Sequence, residues 1–169
     1  VGGALSIGQT VTINVAALGG TTTATVDGDL VIAADVTISS GANALAIGSG
    51  SGLTLSAGRL TVVTPGDLLL PTGATITRVG GSINGNSPSF GSDTFLVYND
   101  DRSGTSTTAG LELPTDLGAG TITIDQASGT LEFPNPVAAA GITVAPGTTV
   151  DVTFYSSVTG SGDAHRSED

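Results

Sequence analysis

The chain has 169 residues, a length that suits one domain with a real core and leaves little room for a second. Four Arg, no Lys and 15 Asp or Glu give a net charge of −11 at pH 7, which disfavours binding to nucleic acids and to anionic membrane surfaces. Glycine and threonine occur 26 times each and aromatic residues make up 4% of the chain, which favours short strands and tight turns over helices.

Pairs of apolar residues at alternating positions run through the first half of the chain and predict short strands. From Leu45 onward these pairs begin 6 to 8 residues apart, so three strands occupy ~22 residues, which is the arithmetic of a three-sided parallel β-solenoid. Glycines fall between the pairs, where a sharply turning chain needs residues that tolerate positive φ. The pairs are Val11/Ile13, Val36/Ile38, Leu45/Ile47, Leu53/Leu55, Leu60/Val62, Leu68/Leu70 and Ala74/Ile76.

Residues 80–110 interrupt this pattern. Loop-like and polar stretches surround Phe95–Tyr98, the strongest single strand signal in the chain. We therefore predict one all-β repeat domain over residues 1–159, with an irregular insertion near 80–110. Residues 160–169 have no apolar side chain larger than Ala and predict a flexible polar tail.

A unit of about twenty residues occurs twice in a row near the end of the chain. Residues 111–124 and 131–144 share Leu, Glu, Pro, Ile and Thr at an offset of 20. Each unit contains two short strands and a turn, too little to bury a core alone, so neighbouring units must stack. The repeat predicts rungs of about 20–24 residues, and it predicts that Glu112 and Glu132 stack one rung apart on an outer face. Stacked like charges need compensation, so this face is either strongly solvated, which we favour, or bridged by a cation.

A β-sandwich is the alternative fold, because sandwiches also show turn signals every eight to twelve residues. Two features favour the solenoid. Strands such as Leu53–Leu55 and Leu60–Val62 are very short, and Leu-x-Leu-Pro-Thr followed by Thr-Ile-Thr occurs both from Leu68 and from Leu111. A sandwich has no physical reason to repeat a turn together with its next strand.

The stretches 26–32 (VDGDLVI), 36–41 (VTISSG) and 52–55 (GLTL) resemble the low-complexity β-helical repeats of large secreted bacterial surface proteins. Residues 96–99 and 110–114 do so as well. In these adhesin-like and autotransporter-passenger-like proteins the rungs read roughly Val-x-Gly-x-Leu-x-Ile followed by Gly-x-x-Leu-Thr-Leu. The resemblance implies a β-helical fold and an extracellular or cell-surface location. It transfers no catalytic residue, because such stalks have none.

Two groups of acidic and amide side chains are candidate calcium ligands, because oxygen ligands alternating with Gly suit a hard cation. Neither group matches an EF-hand loop, and Asx turns at strand ends explain the same residues equally well. Apart from calcium, we expect no cofactor. The candidate ligands are Asp27, Asp29 and Asp35 in one group and Asn99, Asp100 and Asp101 in the other.

Catalysis is not predicted. His165 is the only histidine, and it lies in the predicted tail, where no packing would hold it as a base. A polysaccharide-acting groove needs several carboxylates beside a basic residue, and only Arg102, near Asp100 and Asp101, comes close. We therefore expect that the protein is not an enzyme.

Thr-x-Thr pairs suggest one further role, because a flat row of such pairs could order water and bind ice. Their unequal spacing predicts that they do not all lie on one face, and threonine is also simply a good exposed strand residue. The pairs are Thr10/Thr12, Thr21/Thr23/Thr25, Thr75/Thr77, Thr105/Thr107 and Thr121/Thr123.

Together these features predict an extracellular structural protein that assembles with copies of itself into a filament or surface layer by stacking of rungs. Open end rungs template further pairing, and the sequence shows no recognisable cap at either end. An adhesin stalk or a glycan-binding surface module is the alternative, with surface glycans as partners. No apolar run approaches the ~20 residues that insert into a membrane. The predicted assembly residues are Val11, Ile13, Val150, Val152 and Phe154.

Overall fold

The computed structural model describes residues 5–9, 11–14, 23–41, 43–100, 106–155 and 158–159. Every regular element in these residues is a β-strand, and none of them forms a helix that is long and apolar enough to cross a membrane. The strands, numbered in chain order, are β1 (Leu5–Ile7), β2 (Val11–Asn14), β3 (Thr23–Val26), β4 (Leu30–Ile32), β5 (Val36–Ser39), β6 (Ala44–Ile47), β7 (Leu53–Leu55), β8 (Arg59–Val62), β9 (Leu68–Leu69), β10 (Thr75–Arg78), β11 (Ser82–Gly85), β12 (Phe95–Tyr98), β13 (Ser106–Thr108), β14 (Thr121–Ile124), β15 (Ser128–Phe133), β16 (Val137–Ala138), β17 (Gly141–Val144), β18 (Thr149–Phe154) and β19 (Val158–Thr159).

All of these strands pair in parallel, each with strands one turn away and not with its neighbour in sequence. Face 1 is the seven-stranded sheet β1-β4-β7-β10-β12-β14-β17. Face 2 consists of the sheets β2-β5-β8-β11 and β13-β15-β18, and face 3 of β3-β6-β9 and β16-β19. The chain is therefore the predicted parallel β-solenoid, with three strands per rung, and the β-sandwich alternative is wrong.

The seven strands of face 1 define six complete turns, and the length of a turn varies. Ile76 lies opposite Leu96, 20 residues later, and Leu96 lies opposite Ile122, 26 residues later. The register of the strands is kept while the corners take up the difference. Face 3 continues through these two turns by single bridges, Leu69 with Ser89 and Asp116 with Ala138.

The core lies between the three faces and consists of columns of inward side chains. Leu30, Leu53 and Ile76 are register partners on face 1, and each is at most 1% exposed. The predicted inward pairs from Val36/Ile38 to Ala74/Ile76 are all buried. Full burial of each such Leu or Ile side chain contributes roughly 1.5–3 kcal/mol, so these columns are the main source of stability.

Part of the segment near residues 80–110, where the sequence predicts an insertion, lies within the ladder. β11 extends face 2, Ser89 bridges to face 3 and β12 extends face 1. The irregularity of the sequence here coincides with the change from a 20-residue to a 26-residue turn. Residues 101–105 and the predicted tail at 160–169 lie outside the described residues.

The twenty-residue repeat is in register over only part of its length. Thr121–Ile124 lies opposite Gly141–Val144, at the predicted offset of 20. Glu132 lies opposite Thr108 at an offset of 24, however, because the chain between β13 and β14 adds residues that the later turn lacks. The prediction that Glu112 and Glu132 stack on an outer face is therefore wrong, and Glu112 is 1% exposed inside the solenoid.

Glycine is required where consecutive turns approach each other most closely. A Cβ atom on Gly120 would lie 1.8 Å from the carbonyl oxygen of Thr94, one turn earlier. A backbone atom cannot rotate away as a side chain can. Gly141, on the next strand of face 1, is the opposite case, because its Cβ would meet only Thr121 Cγ2 at 3.9 Å.

We expect Gly120→Ala to lower the free energy of unfolding by about 1–3 kcal/mol or more, the usual cost of overpacking. Gly141→Ala is the matched control and should change it little. The midpoint of urea unfolding measures both effects. Equal midpoints for the two variants would contradict the close approach at Gly120.

Candidate functional site

The end rungs of the solenoid, β1–β3 at one end and β17–β19 at the other, differ from its middle in the exposure of their inward side chains. Leu5 on β1 is only partly buried, whereas its register partner Leu30 is fully buried. Ile13 on β2 is likewise partly buried, and its partner Ile38 is fully buried. Ile7 and Val26, the other inward residues of this rung, are 8% and 3% exposed, so the first rung is only partly exposed.

The last rung shows the same contrast. Val152 and Phe154 on β18 are partly buried, whereas their partners Leu131 and Phe133 are fully buried. Val144, which ends β17, is 45% exposed at a position where the preceding rung has a fully buried Ile124. At both ends, several inward side chains of the described strands are therefore more exposed than their partners in the neighbouring rung.

An aromatic column runs along the interior and ends at the last rung. The rings of Tyr98 and Phe133 meet edge to face with their centroids 5.5 Å apart. Phe133 and Phe154 are stacked at 4.7 Å with an angle of 11° between the ring planes. Such contacts contribute roughly 0.5–1.5 kcal/mol beyond simple burial. Phe154 has Phe133 on its inner side, and no described strand lies beyond it.

The outer edge of β18 carries backbone groups that no described strand pairs with. The N–H groups of Thr149 and Tyr155 donate to the carbonyl oxygens of Ala127 and Phe133 in the preceding rung. Because alternate residues of a parallel strand bond to the same neighbour, the N–H groups of Val150, Val152 and Phe154 point the other way. An open groove of about 900 Å³ follows this edge and is lined by residues 144–148 and 150–153.

The first rung presents a matching edge. The N–H of Leu5 donates to Asp29 O at 2.8 Å, and Ile7 O accepts from the N–H of Ala33 at 2.9 Å. The N–H and C=O of Ser6, which lies between these residues, therefore point away from the second rung. In the described part of the chain no strand lies on that side of β1.

The structure places the predicted assembly residues in these end rungs. Ile13, Val150, Val152 and Phe154 are half-buried members of the core, and Val11 on β2 lies opposite Val36. The side chain of Val11 lies outside the described residues. The sequence predicted where these residues lie, and whether they make contacts between copies stays a prediction.

A buried polar cluster interrupts the apolar columns in the middle of the solenoid, and the sequence analysis missed it. Arg78 occupies an inward position of face 1, between Leu55 and Tyr98 in register. Its Nη1 donates to Glu112 Oε1 at 2.5 Å and to Thr108 O at 2.6 Å. The sequence of β10 could have predicted the inward position of Arg78. Alternate residues of a strand point to the same side, so Arg78 points inward with Ile76.

Glu112 is the centre of this cluster. Its Oε1 also accepts from the N–H of Gly110 at 3.0 Å and lies 3.5 Å from the hydroxyl of Tyr98. Its Oε2 is buried and has no hydrogen-bond partner among the described residues. Burial, and then the neighbouring Glu112 carboxylate, raise the pKa of Tyr98 well above its ordinary value of 10.0. Tyr98 and Glu112 are buried and the side chain of Arg78 is 15% exposed, so the cluster lies mostly inside the solenoid and fixes its packing.

Two of the predicted calcium ligands link consecutive rungs. Asp29 Oδ1 accepts from the N–H of Gly52, and Asp35 Oδ1 accepts from the N–H of Arg59, both at 2.8 Å. Asp93, which the sequence analysis did not single out, makes the same contact with the N–H of Ala119. These carboxylates stabilise the corners by capping backbone groups of the next turn.

The other predicted ligands do not join these two. Asp27 is exposed at a corner, Asp100 is buried, and the N–H of Asn99 donates to Arg78 O. Asp101 lies outside the described residues. Across the described ranges, no group of three or more His, Cys, Asp or Glu side chains is arranged to hold a metal ion.

Comparison with protein-family models, with curated proteins and with solved structures finds no match to this chain.

We expect Arg78→Met to lower the free energy of unfolding by about 3–5 kcal/mol, because it leaves the Glu112 carboxylate buried without its cation. The double variant Arg78→Met/Glu112→Leu should recover much of this loss, since an apolar replacement of a buried ion pair is often neutral or stabilising. Urea unfolding measures the free energy of unfolding of both variants and of the native chain. A double variant no more stable than the single one would contradict it.

Calcium binding by Asp27, Asp29 and Asp35, or by Asp100 and Asp101, stays a prediction with a simple test. If an ion binds only the folded protein, excess calcium should raise the melting temperature and a chelator should lower it. A melting curve that is the same in both conditions would contradict calcium binding and leave these residues as corner caps.

Proposed function

We propose that the protein is a structural protein whose copies stack head to tail, so that the parallel ladder continues from the last rung of one copy to the first rung of the next. The observation that carries this proposal is that no described strand lies beyond either end rung, while both rungs hold half-buried apolar side chains and backbone groups that point outward. Unpaired strand edges of this kind template further pairing.

The two ends have matching patterns. β1 reads Leu5-Ser6-Ile7 and the end of β17 reads Ile142-Thr143-Val144, each with the apolar side chains inward and the hydroxyl outward. Stacking a second copy in the same direction puts Leu5 over Ile142 and Ile7 over the exposed Val144. Because every strand pair is already parallel, a head-to-tail contact repeats the geometry that holds the rungs of one copy together.

The distribution of charge supports contact between ends. Residues 1–26 contain no Asp, Glu, Lys or Arg, and residues 133–162 contain only Asp151, whereas residues 163–169 contain three acidic residues and Arg166. The acidic residues that give the net charge of −11 lie mainly in the central rungs. Two copies that meet end to end therefore bring few carboxylates together, whereas contacts at the middle would bring many.

Head-to-tail contacts are heterologous, and they generate an open fibre unless the rotation between copies happens to close a ring. The proposed product is therefore a filament, or a layer built from filaments. The resemblance of residues 26–55 to repeats of secreted bacterial surface proteins supports an extracellular or cell-surface location. The same solenoid could serve as an adhesin stalk, and the oligomeric state separates these two roles.

We expect Val152→Pro and Ser6→Pro to stop assembly without unfolding the central rungs. Each change removes an N–H that points to the open edge and leaves the ladder inside the copy intact, which is the situation in which an edge strand tolerates proline. Light scattering and electron micrographs should show filaments for the native chain and monomers for both variants. Circular dichroism should show the same β content in all of them.

Val152→Ala is the control for side-chain packing, because it removes more apolar surface than Val152→Pro but keeps the N–H, and it should still form filaments at higher concentration. A native chain that remains monomeric over a wide range of concentration and salt would contradict the proposal and favour the adhesin stalk. Filaments of unchanged length from the proline variants would also contradict it.

A further inference from the structure

The junction between the fourth and fifth rungs differs from the other junctions in the described part of the chain. Every other junction has a strand pair or a bridge on all three faces. Here face 1 continues from β10 to β12, whereas face 2 is divided between β11 and β13. On face 3, Ser89 bridges back to Leu69 and Asp116 bridges forward to Ala138, and no described bridge joins Ser89 to Asp116. We call this junction the seam.

Two strand edges face the seam without pairing to each other. At β11, the N–H groups of Ser82 and Asn86 donate to the preceding turn, so the N–H of Ile83, which alternates with them, points to the seam. At β13, the N–H of Ala109 donates to β15 in the following turn, so the carbonyl group of Thr108 points to the seam. Between these two described strands, the ladder hydrogen bonds of face 2 are therefore missing.

The side chain of Arg78 crosses the seam. Arg78 lies on β10, before the seam, and its Nη1 donates to Thr108 O at 2.6 Å and to Glu112 Oε1 at 2.5 Å. Both acceptors lie after the seam. The guanidinium group therefore supplies a donor to the edge of β13 to which β11 supplies none. Glu112 Oε1 also accepts from the N–H of Gly110, so the same contact holds the turn that follows β13.

The core is also more polar at the seam than in the earlier rungs. Arg78 and Glu112 lie inside it, and Thr107, the buried residue of β13, places a hydroxyl group at an inward position of face 2. On β5 and β8 the inward residues are Val, Ile and Leu, each at most 1% exposed. The stability of a solenoid is approximately the sum of the stabilities of its rungs and of the contacts between neighbouring rungs. A junction with one ladder of three and with polar side chains in its core is expected to contribute least to that sum.

We propose that the solenoid consists of two units that unfold separately at the seam, and that the Arg78–Glu112 ion pair is the contact that couples them. The N-terminal unit is formed by the described residues up to 92, and the C-terminal unit by those from 93 to 159. The C-terminal unit opens first, because it has three rungs against four. Opening uncovers the edges of β10 and β11, and unpaired edges of this kind can pair with other chains, so the ion pair also keeps these edges covered. The inference does not depend on the proposed function, since a single copy can open in this way.

Two corner carboxylates give a matched pair of variants, because each makes the same contact on a different side of the seam. Asp35 Oδ1 accepts from the N–H of Arg59 inside the N-terminal unit, and Asp93 Oδ1 accepts from the N–H of Ala119 inside the C-terminal unit, both at 2.8 Å. Hydrogen exchange of the full chain in increasing urea, measured peptide by peptide by mass spectrometry, gives the unfolding midpoint of each unit. Asp35→Ala should lower the midpoint of β4, β5 and β8 by about 0.3–1 M urea and leave that of β14, β15 and β17 unchanged. Asp93→Ala should do the reverse.

The same measurement tests the ion pair. In the native chain, peptides of the C-terminal unit should lose protection at a lower urea concentration than those of the N-terminal unit. Arg78→Met should lower the midpoint of the C-terminal unit by roughly 1–3 M urea, because opening that unit returns the unpaired Glu112 carboxylate to water, and should leave the N-terminal midpoint unchanged. The protein concentration is kept where light scattering shows monomers, so that assembly does not contribute.

The outcomes separate the two parts of the proposal. One midpoint for the whole native chain, with both units shifted alike by Asp35→Ala and by Asp93→Ala, would overturn the division into two units. Two midpoints that Arg78→Met lowers equally, or a C-terminal midpoint that it does not lower, would overturn the coupling by the ion pair. If Arg78→Met does not fold, Glu112→Gln takes its place, because it keeps an acceptor for Arg78 and Gly110 and removes only the charge. It should lower the C-terminal midpoint by a smaller amount, and an equal shift of both units or no shift would overturn the coupling.

Discussion

The backbone ladder between consecutive turns is the interaction on which the rest of this structure depends. On face 1 it runs through seven strands without a break, and it places each residue directly over its equivalent one turn later. Side chains consequently form columns whose members are mostly alike: apolar inside, as from Leu30 to Ile122, and small or β-branched outside, as from Val31 to Thr143. The inward column with Arg78 between Leu55 and Tyr98 is the exception, and Glu112 balances its charge. Composition follows from this constraint, because glycine is needed at corners and threonine suits outward strand positions.

Register, and not turn length, is what the fold conserves. A turn lengthens from 20 to 26 residues, and the added residues lie in its corners. Leu96 still lies in register with both Ile76 and Ile122. Carboxylates such as Asp29 and Asp93 help here, because each accepts an N–H from the following turn and fixes a corner whose length varies. The corners therefore carry much of the acidic charge, and the strands of face 1 remain free of outward charge.

The sequence was sufficient for the fold and for the inward columns, because strict alternation over three or four residues leaves one choice of inward side. The twenty-residue repeat, however, gave the wrong position for residues 111–113. The offset of 20 that relates Thr121–Ile124 to Gly141–Val144 also relates Glu112 to Glu132, but the ladder of face 2 fixes Glu132 against Thr108. A repeat read from the sequence shows the length of most turns. It does not show which corner contains additional residues.

The inward position of Arg78 could be predicted from the sequence, whereas the position of Glu112 could not. Arg78 follows Ile76 by two residues in a strand, so its inward direction is a local property. Glu112 lies in a turn, and its position depends on a partner 34 residues away. The ion pair sits where face 2 divides into two sheets, between β11 and β13.

Long-range charge and short-range stacking act in opposite directions in the proposed filament. Every added copy brings a net charge of −11, so repulsion grows with length, whereas the contact at each new joint stays the same. Repulsion between exposed charges is screened over ~8 Å at physiological ionic strength, while ladder hydrogen bonds and the burial of Val144 or Phe154 act at contact and are screened little. Because the end rungs carry almost no charge, salt mainly weakens repulsion between the central rungs of neighbouring copies. In the proposed filament the strands of the end rungs, which hold one charged residue, Asp151, meet with little repulsion, so we expect assembly along one axis to increase when salt screens the remaining charge.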